Sequence, residues 1–174
     1  MKPITIALAD DHRIFREALK LALSTVADLL LVGEAASGAE TLAVVAATRP
    51  DVLVLDIALP DMNGIEVAKL LKQRFPELGV VALSGYAERM FVEEMLKAGA
   101  KAYIVKSAGA DELVAAIRLV ARGERYMSSD ALSSMMRGVE PQETPPRSVL
   151  SPREQEVLRL LAKGMRSIQV GQEL

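Results

Sequence analysis

A chain of 174 residues has room for one ordinary domain of about 120 to 150 residues plus a remnant, or for two very small ones. It contains no Cys, which excludes disulfides, thiolate catalysis and cysteine-ligated zinc, and its formal charge of -2 (21 Lys+Arg against 23 Asp+Glu) argues for neither a nucleic-acid coat protein nor an acidic tail. Hydrophobic residues make up 51% but aromatics only 3%, so the interior has to be built from Ala, Val, Leu, Ile and Met, a palette suited to helices packed on a Val/Leu-rich sheet.

In chain order, the opening apolar run Ile4 to Ala9 is broken by Asp10 and Asp11, too early for a signal-peptide core. Four more short apolar runs follow: Leu29 to Gly33, Val52 to Leu55, Val80 to Leu83 and Ala102 to Val105. Between and after them lie helical stripes: Phe15, Leu19 and Ala22; Leu42, Val45 and Ala46; Gly64, Val67, Ala68 and Leu71; Phe91, Met95 and Ala98; Leu113, Ala116, Ile117 and Val120. Strand then helix, repeated to about residue 123, predicts right-handed crossovers and an α/β domain with a doubly wound, flavodoxin-like, five-stranded parallel sheet. Both faces of such a sheet are covered, which explains why the strand runs are continuously apolar. The longest uninterrupted apolar run, Leu42 to Ala47, is far below the roughly 20 residues a membrane span needs. A cytoplasmic protein without a membrane partner is expected.

Residues 124–149 are expected to form a short linker helix and then a Pro-containing linker, VEPQETPPRSV. Structure is expected to resume at Ser151 as a short all-α fragment, residues 151–174. Ser151 is expected as a helix N-cap, Pro152 as the first helical residue and Glu154 as the closing residue of a capping box.

In an open α/β sheet the ligand crevice lies outside the carboxyl ends of the strands. Here the first strand ends in Asp10 and Asp11, the third in Asp56, the fourth in Ser84 and the fifth in Lys106. Two carboxylates about 4 Å apart repel by roughly 4 kcal/mol at an effective dielectric of 20, so three Asp beside one Lys call for a further cation. Mg²⁺ fits, because it binds through one or two carboxylates, keeps waters and also coordinates phosphoryl oxygens. Asp56 is then a sensible nucleophile for a phosphoryl group whose oxygens Mg²⁺ and Lys106 neutralise, and Ser84 could donate a hydrogen bond to the product.

The segments ADDH, RPDVLVLDIALPDMNGIE, VVALSG and AYIVKS resemble the receiver domain of bacterial response regulators across residues 3–123. The resemblance implies that Asp11 ligates the metal directly, Asp10 acts partly through water, Asp56 is both ligand and phosphoacceptor, and the Ile57 carbonyl completes the protein ligands. It also gives Ser84 the switch-hydroxyl role, Tyr103 the switch-aromatic role and Lys106 the phosphate-binding role. Many receivers carry Pro where Ser107 follows Lys106, and Thr where Ser84 stands. LSPREQEVLRLLAKG is similar to the first helix of LuxR-type helix-turn-helix domains, which points to the NarL/FixJ subfamily. No recognition helix follows before Leu174, and residues 147–174 hold five basic against three acidic side chains, so this chain by itself is expected not to bind operator DNA specifically.

The resemblance implies a response regulator, not an enzyme beyond its own Mg²⁺-dependent phosphorylation and dephosphorylation. Its partners would be a sensor histidine kinase, a second copy on phosphorylation and, for a full-length parent, DNA. A phosphorylation-independent flavodoxin-like binding module for a small anion is the alternative, opposed by three acidic side chains on the rim. An aspartyl-phosphate phosphatase would need an acid/base Asp two residues after Asp56, where Ala58 stands. His12 is read as a helix-start residue, Gly64 as a turn and close-packing residue, and Met127, Met135 and Met136 as gap-fillers or a small contact surface.

Overall fold

A computed structural model describes residues 2–137. In chain order these form β1 (Ile4–Ala9), α1 (Arg13–Ser24), β2 (Leu29–Ala35), α2 (Gly38–Thr48), β3 (Val52–Asp56), α3 (Gly64–Arg74), β4 (Gly79–Ser84), α4 (Arg89–Ala98), β5 (Ala102–Val105), α5 (Ala110–Ala121), β6 (Tyr126–Met127) and α6 (Ser129–Arg137). The sheet is parallel with strand order β2-β1-β3-β4-β5-β6. The expected helix at Ser151 and the rest of the expected C-terminal fragment lie outside the described residues.

The pleat sorts each interior strand between two cores. Ile6 and Leu8, with Val52 and Val54, face Leu19 and Leu23 of α1 and Leu113 and Ile117 of α5. Ala7, Ala9, Leu53 and Leu55 point the other way, onto Val45 of α2, Val67 and Leu71 of α3, and Met95 of α4. Burial on both faces is what the continuous apolar runs required. The order reverses between β1 and β3, so the crevice of a doubly wound sheet falls at their carboxyl ends.

Three local features depart from expectation. The sheet has six strands among the described residues, because Tyr126 N–H donates to Lys101 O (3.0 Å) and Ser128 N–H to Tyr103 O (3.0 Å), covering the free edge of β5. Two residues are too few to leave a periodic signal. Residues 124–137, expected as the opening of a linker, thus pack on the receiver body: Ala131 is fully buried, and Met127 and Met135 lie against the same core as α4, while Met136 stays exposed. In α2 the buried positions are Gly38, Thr41 and Val45, whereas Ala46 is exposed. The run Leu42 to Ala47 is apolar on every side, so its period could not select a face; Thr41 can be buried because its hydroxyl donates to Ser37 O at 2.7 Å.

The loop between β3 and α3 carries the tightest approach. A Cβ on Gly64 would stand 2.2 Å from Asp56 O and 2.8 Å from Ile57 Cα, so only glycine lets α3 start against the end of β3. Asn63 caps that helix by accepting from Ile65 N–H at 2.9 Å. Asp61, from the same loop, accepts from Gly38 N–H (2.6 Å) and Ala39 N–H (2.9 Å) at the start of α2. Those bonds hold its carboxyl below the ordinary range and lock the loop that presents Asp56.

Candidate functional site

The ends of β1, β3, β4 and β5 bring Asp10, Asp11, Asp56, Ser84 and Lys106 to one rim, as the sequence predicted. Lys106 Nζ lies 2.7 Å from Asp56 Oδ2, to which it donates, and 2.7 Å from Asp10 Oδ2. Asp10, Asp56 and Ser84 are buried, while the Asp11 side chain keeps 34% of its exposure. Asp56 Oδ1 accepts from Ala58 N–H at 3.1 Å, and Asp10 Oδ1 from His12 N–H at 2.7 Å. Asp10 Oδ2 is fully buried with the Lys106 ammonium as its ion-pair partner.

Burial drives the Asp56 carboxyl above its ordinary value, more strongly than the Lys106 ammonium and the Ala58 N–H pull it down. For Lys106 burial works to lower the value, and the two carboxylates outweigh it, holding the ammonium above its usual range. Lys106 Nζ also sits 5.0 Å from the centre of the Phe15 ring. One ammonium therefore serves two buried carboxylates, and a third lies beside them.

Asp10, Asp11, His12 and Asp56 each offer a ligand atom within 4.8 Å of the others. Three carboxylates around the one ammonium fit a hard, oxygen-seeking divalent cation. The Ile57 carbonyl accepts from Gly64 N–H at 2.9 Å and retains a second lone pair. His12, read as a helix-start residue, also brings its Nδ1 to 2.8 Å from Asp11 Oδ1. A helix-start position said nothing about which way that ring would turn.

Ser84 and Tyr103 meet on the backbone of one residue, Tyr86. Tyr86 N–H donates to Ser84 Oγ (3.0 Å), and the Tyr103 hydroxyl donates to Tyr86 O (2.7 Å). Tyr103 is fully buried, and burial raises its phenol above the usual value. The loop after β4 is thereby tied to the rim hydroxyl on one side and to β5 on the other.

A cavity of about 820 Å³ opens beside Asp56, lined by His12, Ile14, Phe15, Ala58, Tyr86 and Lys106. Residues 6–118 match the response regulator receiver domain family, and residues 148–174 match the bacterial regulatory proteins of the luxR family. The chain belongs to the response regulators. It is 36% identical over 174 residues to the DNA-binding transcriptional activator DevR/DosR of Mycobacterium tuberculosis, covering 98% of this chain and 80% of that protein. The crystal structure of a LuxR-family two-component response regulator from Aurantimonas superposes with a TM-score of 0.76 at 30% identity, over 79% of this chain and 98% of that one. RcsB dimers bound to DNA share the fold at 21% identity, with a TM-score of 0.73 over 99% of this chain and 83% of theirs.

The receiver, with its LuxR-type segment, is thus that of a two-component transcriptional regulator, a transcription factor and not a conventional enzyme. Its rim is an acidic cluster compatible with a divalent metal. No helix among the described residues is long and apolar enough to cross a membrane.

Proposed function

We propose that Asp56 accepts a phosphoryl group from a phosphohistidine of a sensor kinase, with Mg²⁺ bound at Asp11, Asp56, the Ile57 carbonyl and, partly through water, Asp10. The observation that carries this reading is a single ammonium, Lys106, 2.7 Å from both Asp56 and Asp10 at the end of the sheet. An Asp56 carboxylate oxygen forms the new O–P bond while the P–N bond of the donor breaks, its electron pair returning to the imidazole. Bound Mg²⁺ would supply neutralisation of the phosphoryl oxygens. Lys106 would exchange its bond to Asp56 for one to the transferred group, and the Ser84 hydroxyl would turn from Tyr86 N–H towards it, shifting the loop that Tyr103 holds. Phosphorylation and loss of the phosphoryl group are the only reactions the chain would catalyse.

The donor would dock beside the cavity, where Ile14, Ala18 and Leu21 form an exposed stripe along α1, with Ile14 88% and Leu21 71% exposed. Residues 1–123, with 124–137 packed on them, form the receiver unit of this reading, and 151–174 the LuxR-type segment. Phosphorylation promotes homodimerisation and DNA binding, in the cytoplasm. RcsB dimers on DNA are the precedent in fold.

The test is intact mass after incubation with acetyl phosphate, with and without Mg²⁺, on the wild type and Asp56→Asn. One Mg²⁺-dependent phosphoryl group, labile to hydroxylamine and missing from the variant, is the expected result. Equal mass gain in the variant would move the acceptor elsewhere. No gain, together with no Mg²⁺ binding, would favour a phosphorylation-independent module.

A further inference from the structure

Behind the acidic rim lies a second charged group that the phosphoryl chemistry does not use. Arg16, one turn into α1, donates from Nη1 to Asp10 O at 2.5 Å, and its side chain is only 15% exposed. That carbonyl belongs to the peptide bond joining Asp10 to Asp11, the two carboxylates of the rim that come from β1. On the other side of the same residue, Asp10 N–H donates to Ala35 O at the end of β2 (3.1 Å). The backbone between the strand and both carboxylates is therefore gripped from β2 and from α1. Rotating the Asp10–Asp11 peptide would move both ligand groups at once.

Arg16 is itself held. Its Nε lies 3.6 Å from Glu34 Oε2, and Glu34 Oε1 lies 2.8 Å from Lys20 Nζ, one helical turn further along α1. Glu34 reaches this face through an irregularity in the strand pairing. Ile6 pairs with Leu31 but Ala7 with Gly33, so one extra residue, Val32, is inserted into β2. Before it, Leu29 and Leu31 face the α1 side of the sheet. After it the alternation is reversed: a Cβ on Gly33 would meet Val44 of α2 at 2.4 Å, Ala35 joins the α2 core, and Glu34 turns to α1. Without the bulge, Gly33 and Ala35 would occupy the α1 side and Arg16 would have no carboxylate partner there.

We infer that Arg16 is a positioning residue for the metal-binding carboxylates: clamped by Glu34, it fixes the Asp10–Asp11 peptide and so sets the affinity of the rim for a divalent cation. This rests on the Mg²⁺ reading of the site. The distinction from a plain charge effect lies in the sign. A guanidinium acting only through its charge would repel the incoming cation, so removing it would tighten Mg²⁺ binding. Here Glu34 neutralises it on the far side, and its hydrogen bond goes to a backbone carbonyl, not to a carboxylate. Orientation then outweighs charge, and its loss weakens binding.

The experiment is calorimetric titration of Mg²⁺ into the full 174-residue chain, as wild type, Arg16→Gln, Arg16→Lys and Glu34→Gln, well below the melting temperature. Circular dichroism serves as the check on folding. Both Arg16 variants should weaken Mg²⁺ binding about tenfold, the usual scale for losing a group that orients metal ligands. Lysine should fail to rescue, because it keeps the charge but not the planar fork. Glu34→Gln should weaken binding in the same direction by less. The Mg²⁺ concentration that half-saturates phosphoryl gain should move by the same factors. Tighter binding in Arg16→Gln, or wild-type affinity in Arg16→Lys, overturns the inference. If the Arg16 variants do not fold, unchanged affinity in Glu34→Gln overturns it. A wild type that binds no Mg²⁺ instead removes the metal reading on which the inference stands.

Discussion

At the carboxyl end of the sheet Asp10 and Asp56 are withdrawn from water and share one ammonium, whereas at the amino end the charges stay solvated and find small local tasks. There Asp51 Oδ2 accepts from Thr5 N–H (2.8 Å) and Thr5 Oγ1 (2.7 Å), pinning β1 to the start of β3. Arg49 lies 4.4 Å over the Phe75 ring, and with Arg74 and Arg122 it surrounds a cleft of about 540 Å³. These arginines sit in or just after the last turns of α2, α3 and α5, where a cation complements the helix dipole. The wider lesson is that charge count does not mark a site. Exposed arginines are satisfied by water and helix ends, while two buried carboxylates on one lysine create a demand that a ligand can meet.

The sharpest way to break that contrast is Lys106→Met, which leaves two buried carboxylates without their cation. Loss of a partner from a buried pair predicts a cost of about 3 kcal/mol in metal-free buffer, measured by urea unfolding. Added Mg²⁺ should restore part of it. A variant as stable as the wild type without metal would show that the carboxylates are protonated or better hydrated than their burial implies.

A smaller effect of opposite sign is expected from Asp56→Asn. The fold holds the Asp56 carboxyl above its ordinary value, so it binds the proton more tightly than the unfolded chain does. The contribution favours the fold at low pH and is lost as pH rises through the ordinary carboxylate value towards the raised one. At neutral pH without metal, Asn should therefore raise stability by about 1 kcal/mol, a melting shift of a few degrees, and the gain should vanish in acid. A destabilised variant at neutral pH would mean that the Lys106 bond outweighs burial.

The smallest effect belongs to the amino end. Burial pushes the Asp51 carboxyl up, but the two Thr5 donors outweigh it and hold the group below its ordinary value. Its contribution is present above the unfolded value and lost as pH falls through the folded one. Solvent screening keeps the cost of Asp51→Asn below about 1 kcal/mol, again read by unfolding in urea. A loss as large as that of Lys106→Met would erase the contrast between the two ends.

Much of this was legible in the chain because strand ends are marked locally. Each rim residue directly ends or follows an apolar run, and a doubly wound sheet gathers such ends at one crevice. The α3 face, Gly64, Val67, Ala68 and Leu71, was also legible, since polar residues flank it on the helix surface. The α2 face was not, because alanine and valine surround the whole cylinder. The approach of His12 to Asp11 was not legible for another reason: a ring at a helix start has no periodic partner to orient it.

The sequence by itself determined the alternation of strands and helices, the acidic rim, its lysine and the hydroxyl, since these depend on residue type and position along one strand at a time. Only the tertiary structure decided the pairing of Tyr126 and Met127 with β5, the shared hold of Ser84 and Tyr103 on Tyr86, and the insertion of Val32 that turns Glu34 towards Arg16. Those depend on register between strands distant in the chain. A one-residue shift there reverses every following side chain without changing the local pattern of either strand.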